Sequence, residues 1–243
     1  MVFAAEALAF RVAGGFGQGK EAVMHKVQRV MLLAALVAGL LMACGASQGA
    51  KGYVAKDFSH LKGMKGFSDK LLEMHFALYQ GYVKNANLLA EELAKLAAQG
   101  QGGTPAFAEL KRRFGWELNG MRLHELYFGN LGGKEPLKAD SRLMKKIQED
   151  FGSYDKWAED FKATGMMRGI GWAVLVQDPE SGRLFNLWIN EHDVGHLAGG
   201  LPILIMDVFE HAFITDYGLK RADYIQAFFD NINWAAAEAR LMK

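Results

Sequence analysis

From Leu71 onward apolar residues recur at the spacing of one helical face: Leu71, Leu72, Leu78, Tyr79, Tyr82, Leu88, Leu89 and Leu93, with His75 on the same stripe. Ser68 stands where a side-chain cap would start this helix at Asp69. The glycines from Gly100 to Gly103, followed by Thr104 and Pro105, end it and turn the chain. A second helical stretch runs from Ala106 to Phe128, with Gly115 as the point at which it could break. Gly129, Gly132, Gly133 and Pro136 then mark a linker, so this part of the chain reads as a helical hairpin. Beyond it, residues 143–151 and 154–167 predict two further helices. Residues 171–176 and 183–189 are β-like runs joined by Asp178, Pro179, Ser181 and Gly182, the chemistry of a hairpin turn. A third apolar run, 202–206, leads into Asp207, and residues 224–242 form an amphipathic helical pattern. No internal repeat occurs. The pattern predicts an α+β protein, all-helical first and mixed afterwards.

Composition changes this picture mainly at the N-terminus. The 243 residues are 51% hydrophobic with a formal net charge of +1, an ordinary globular balance with no electrostatic case for nucleic acid. The single cysteine, Cys44, rules out an internal disulfide and a cysteine-built zinc site. Ahead of it lie a basic stretch at 25–29 and an apolar run at 30–41, the plan of an export signal. That run is too short to span a bilayer, which takes roughly 20 apolar residues. Leu41-Met42-Ala43-Cys44 resembles the lipobox of bacterial lipoproteins, which implies lipid attachment at Cys44 and an exported, periplasmic protein touching the membrane only through that anchor. The first 23 residues fit neither signal nor domain, and Met24 is the expected start. The expected layout is extension and signal at 1–43, a polar tether at 44–66, the helical hairpin at 67–133 and the α+β domain at 134–243.

Seven histidines are the scarce chemistry. His75 lies on an apolar helical face, His124 in the second helix, and His211 four residues after Asp207. Singly, a histidine on an apolar stripe is a core residue bonded to a carbonyl, and Asp207 a helix cap. Together they weigh differently. An acid that follows the apolar run 201–206 must be paired or bound to a metal, because isolated burial of a carboxylate is costly. On a helical turn Asp207 and His211 would point the same way. Three imidazoles and one carboxylate suit a single first-row metal ion. Two other metal motifs fail: Phe128 stands where a zinc-protease helix starting at His124-Glu125 needs its second histidine, and no paired Glu-x-x-His exists for a di-iron bundle.

Asp207-Val208-Phe209-Glu210-His211-Ala212-Phe213 resembles the Asp-x-Trp-Glu-His-Ala-Tyr motif of iron/manganese superoxide dismutases. Tyr217, Arg221 to Tyr224, Asn233-Trp234, Gly171-Trp172 and the run Tyr82-Val83-Lys84-Asn85-Ala86-Asn87 continue that resemblance from about Phe67 to the C-terminus. It implies a helical hairpin followed by an α/β domain with a three-stranded antiparallel sheet. It further implies one iron or manganese ion per subunit, held by His75, His124, Asp207 and His211, and superoxide as substrate. Tyr82 and His192 would be catalytic, with Gly120, Trp172 and Tyr79 around them. His192 would be the partner of metal-bound solvent, with His196 as its rival, and the Gly120–His192 combination leans to iron. Glu210 would bridge to a second subunit in a homodimer. Three departures stand out: the His75–Tyr82 stretch is one residue short, Tyr79 lies near the place of a usual histidine, and Ile214 and Phe209 replace a tyrosine and a tryptophan. The alternative from another class is a non-catalytic metal-binding lipoprotein on the same fold.

Overall fold

In the computed structural model, which describes residues 52–242, Ser68 does cap a helix: its Oγ accepts from the Leu71 N–H at 3.1 Å. That helix, α1 (Asp69–Ala98), buries Leu71, Leu72, His75, Tyr79, Val83, Ala86, Leu89 and Leu93, one stripe at helical spacing. Leu78 and Leu88, expected on the same face, stay exposed. Thr104 caps α2 (Pro105–Gly129), which starts on Pro105 and runs through Gly115 without a break. A glycine there costs only about 1 kcal/mol against alanine, less than the packing of α2 on α1 returns.

The span expected as a tether is not free where it is described. Phe58 and Leu61 are buried, and Tyr53 exchanges two hydrogen bonds with the Asn87 side chain at 2.7 and 2.8 Å. Two large apolar side chains within four residues outweigh the polar composition that suggested a linker. The basic stretch, the apolar run and Cys44 lie outside the described residues.

After α3 (Arg142–Phe151) and α4 (Tyr154–Met166) comes the sheet: β1 (Gly171–Gln177), β2 (Leu184–Asn190) and β3 (Leu201–Asp207), in the order β2-β1-β3 and antiparallel throughout. The central β1 is buried along its whole length, and its register sets Trp172 directly opposite Asp207. Gly171 is required at this point: its φ is +148°, and a Cβ there would lie 1.9 Å from the Ile189 carbonyl oxygen. The chain ends in α5 (Ile214–Tyr217), α6 (Arg221–Asp230) and α7 (Trp234–Arg240). The last two replace the single helix expected over 224–242. Asn231 leaves the helix to bond the Lys65 carbonyl, and Asn233 caps α7 through the Ala236 N–H.

The hairpin and the sheet do not have separate cores, so the expected division at 133 and 134 is not one of packing. Leu72, Met121 and Phe128 share one buried cluster with Trp172, Ile205 and Met206. Asn130, just past α2, is the hinge pin between them. Its side-chain amide accepts from the Ile205 N–H at 3.0 Å and donates to the Ile205 carbonyl at 3.1 Å, as a neighbouring strand would.

Candidate metal centre

Helix α1 brings His75, α2 brings His124, and the end of β3 brings Asp207 to one buried point. His211 arrives from a 3₁₀ turn, Glu210–Ala212, and not from a helical turn shared with Asp207 as expected. The turn is set by Asp207 itself, whose Oδ1 accepts from the Phe209 N–H at 2.8 Å. Its other oxygen, Oδ2, lies 3.2 Å from His75 Nε2, 3.6 Å from His124 Nε2 and 3.3 Å from His211 Nε2. The four donor atoms lie within 4.8 Å of one another. His75, His124 and Asp207 are fully buried, and His211 is partly open.

The protonation pattern tests whether these groups fit a metal. His124 Nδ1 sits 2.6 Å from the Gly120 carbonyl, which can only accept, so that nitrogen carries the proton. His124 Nε2 is therefore a bare lone pair, buried with no hydrogen-bond partner among the described residues, and it faces a carboxylate oxygen. Two lone pairs facing each other in a dry site repel unless a cation lies between them. Burial lowers the pKa of His75 and His124, keeping both imidazoles neutral as ligands must be. Burial works against the charge of Asp207, yet His211 and His75 hold its pKa far below the ordinary carboxylate value. The donor set fits a first-row metal ion.

Beside it runs a hydrogen-bonded chain. Trp172 Nε1–H, a donor only, points at His192 Nδ1 at 3.0 Å. His192 must accept there, so its proton sits on Nε2 and is donated to the Tyr82 hydroxyl at 2.9 Å. The Tyr82 hydrogen is then free to point elsewhere. Burial, with the Asp207 carboxylate nearby, raises the Tyr82 pKa and keeps the phenol neutral. His196 bonds the His192 carbonyl at 2.9 Å and does not enter this chain. Phe209 lies between the rings of His192 and His211, stacked on both at 4.9 and 5.2 Å.

Gly120 has a steric reason: a Cβ there would meet the Tyr82 ring at 2.7 Å. Tyr79 keeps its ring 6.5 Å from that of His124, but its hydroxyl turns away to donate to Glu125 and to accept from the Lys56 N–H. Glu210 is exposed beside His211. Sequence reasoning assigned no site role to Tyr224, whose hydroxyl donates to the Asp207 carbonyl, and missed Tyr127, which bonds Tyr224. It also missed Trp116, although Trp116, Gly120 and His124 recur at a four-residue helical spacing.

Burial pushes the His192 pKa down from 6.5 to about 4. The unfolded chain therefore binds more protons than the folded one between those values. Stability is expected to fall as pH drops from about 6.5 toward 4, by at most about 3 kcal/mol from this group. Urea titrations of the protein and of His192→Gln would check it: the two profiles should diverge only in that window, and parallel profiles would refute a neutral His192.

The comparisons with known proteins agree with this geometry. Residues 139–240 match the family model described as iron/manganese superoxide dismutases, C-terminal domain. An iron superoxide dismutase of Cupriavidus metallidurans is 40% identical over 182 residues, covering 73% of this chain and 89% of the relative. One from Aquifex pyrophilus is 40% identical over 196 residues, covering 77% and 90%. A manganese superoxide dismutase of Haloferax volcanii is 39% identical over 177 residues, covering 71% and 86%. With its α+β fold, its buried three-histidine, one-aspartate cluster and these relatives, this chain belongs to the iron/manganese superoxide dismutase family.

Proposed function

We propose that this protein disproportionates superoxide, two superoxide ions and two protons giving dioxygen and hydrogen peroxide, at one iron or manganese ion held by His75, His124, Asp207 and His211. The observation that carries this reading is the bare, buried His124 Nε2 aimed at Asp207 Oδ2. The ion would supply a one-electron couple, accepting an electron from one superoxide and giving it to the next.

The chain's own groups have definable tasks. Asp207 offsets the ion's charge while the Phe209 N–H fixes its orientation. The Gly120 carbonyl fixes the His124 tautomer. Trp172 orients His192, and His192 donates to Tyr82, so the Tyr82 hydroxyl hydrogen remains available to an anion entering beside it. This intact chain favours catalysis over mere metal storage. The Gly120–His192 combination favours iron as occupant.

The dimer reading is supported by exposed Glu210 next to His211 and by exposed apolar surface on Met74, Leu78 and Ile214. Export with lipid attachment at Cys44 is supported by the order of basic stretch, apolar run and cysteine.

Elemental analysis of natively produced protein, followed by chelation and reloading with each metal, tests the proposal. One ion per subunit, loss of dismutation on chelation and recovery on reloading are expected. Bound metal without dismutation would establish the non-catalytic alternative.

A further inference from the structure

Within the single chain, Trp116 lines a groove that reaches Tyr82, together with Met74, Leu78 and Asn85. Its indole packs against His192 with 4.5 Å between ring centroids and against Tyr82 with 5.6 Å. We propose that Trp116 is a positioning residue that keeps His192 and Tyr82 within hydrogen-bonding distance of each other, an inference that rests on the dismutation reading for its kinetic consequence.

Two polar contacts meet on this one indole. Its N–H donates to the Glu191 carboxylate at 2.9 Å. Glu191 immediately precedes His192 and has a φ of +48°, a left-handed conformation uncommon for a residue other than glycine. The bond thus ties Trp116 to the backbone turn that presents the imidazole. The Arg113 guanidinium sits 3.9 Å from the indole ring, close enough for a cation–π contact. Arg113 is in turn fixed by Glu117, whose Oε1 accepts from it at 2.8 and 2.7 Å and from Asn85 at 3.3 Å. The Glu117 side chain is only 2% exposed. Glu117 thereby fixes the guanidinium that lies against the indole.

Helix α2 completes the arrangement. Trp116 and Gly120 are one turn apart, so the first packs on the Tyr82 ring while the second leaves that ring its space. Tyr82 is held from α2 at two points and His192 by Trp172 and Trp116. Removing the indole frees both rings on the groove side.

The test compares metal-loaded wild type with Trp116→Phe, Trp116→Ala and Arg113→Met, reading kcat, KM, metal content, thermal midpoint and the Tyr82–His192 distance in solved structures. Trp116→Phe keeps a ring and should stay within about 3-fold of wild type in kcat. Trp116→Ala should lose on the order of 10-fold in kcat with KM and metal content little changed, and the 2.9 Å bond should open beyond hydrogen-bonding range. Arg113→Met covers the case in which Trp116→Ala fails to fold, and should move the same distance and kcat in the same direction by a smaller amount. Trp234→Ala, in the aromatic cluster with Trp157 and Tyr154, is the control for destabilisation alone and should lower the midpoint without lowering kcat. An unchanged bond and kcat in folded Trp116→Ala, or equal kcat losses in Trp116→Ala and Trp234→Ala, would overturn the proposal. Wild type lacking dismutation would refute the reaction reading instead, and the distance comparison would still decide the positioning role.

Discussion

Asp207→Asn is expected to empty the metal centre and abolish dismutation while leaving the fold in place. Asparagine keeps the shape of the side chain and can still accept from the Phe209 N–H, so the turn that carries His211 survives. What disappears is the only negative charge among the four donors. With His75, His124 and Asp207 fully buried, little water is at hand to compensate an ion with two or three positive charges, and neutral imidazoles do not. Losses of 10–100-fold follow removal of groups that merely orient a ligand, so loss of the anionic ligand itself should cost on the order of 100-fold or more in metal affinity. Elemental analysis alongside circular dichroism checks it. A folded variant that still carries one ion per subunit would show that these four residues are not the ligand set.

The second large effect is expected from a single methyl group. Gly120→Ala places a Cβ 2.7 Å from Tyr82 Cδ1 and 2.8 Å from Cε1, well inside contact distance. The obstacle is the flank of an aromatic ring and not the end of a flexible chain, so the ring must translate. Tyr82 has His192 and Trp116 on other sides, and its hydroxyl should leave His192 Nε2. A displacement of about 1 Å in a reacting group can cost on the order of 100-fold in rate. Overpacking of this kind costs about 1–3 kcal/mol of stability. Rate and urea midpoint measured together separate the two effects. The metal content should stay at wild-type level, because the Gly120 carbonyl that orients His124 belongs to the backbone. Wild-type turnover in Gly120→Ala would show that Tyr82 has no fixed role.

The shortened stretch between His75 and Tyr82 looked like a threat to the first ligand. Seven residues are close to two turns at 3.6 residues per turn, so an unbroken helix keeps both side chains on one face. Helix α1 is unbroken there, and His75 stands 3.2 Å from Asp207. The departure is compatible with the site because seven residues bring Tyr82 back to nearly the same helical face as His75.

Local order was legible in the chain because its causes are local. Apolar spacing, Ser68, Thr104 and Pro105 determined where α1 and α2 begin, and the turn residues 178–182 determined the β1–β2 hairpin. The apolar run before Asp207 already required a buried acid with a counter-charge. Tertiary packing decided the rest. His75 and Asp207 are 132 residues apart, and no period in the sequence encodes their 3.2 Å separation. The resemblance had put His192 ahead of His196, but the contacts that set the two apart, from the Trp172 N–H and to the Tyr82 hydroxyl, are tertiary. It docked residues 52–66 where composition suggested a tether, and it fused hairpin and sheet into one core. It also made His124 Nε2 a bare lone pair facing Asp207, because a tautomer is set by what surrounds a ring and not by the residues beside it in the chain.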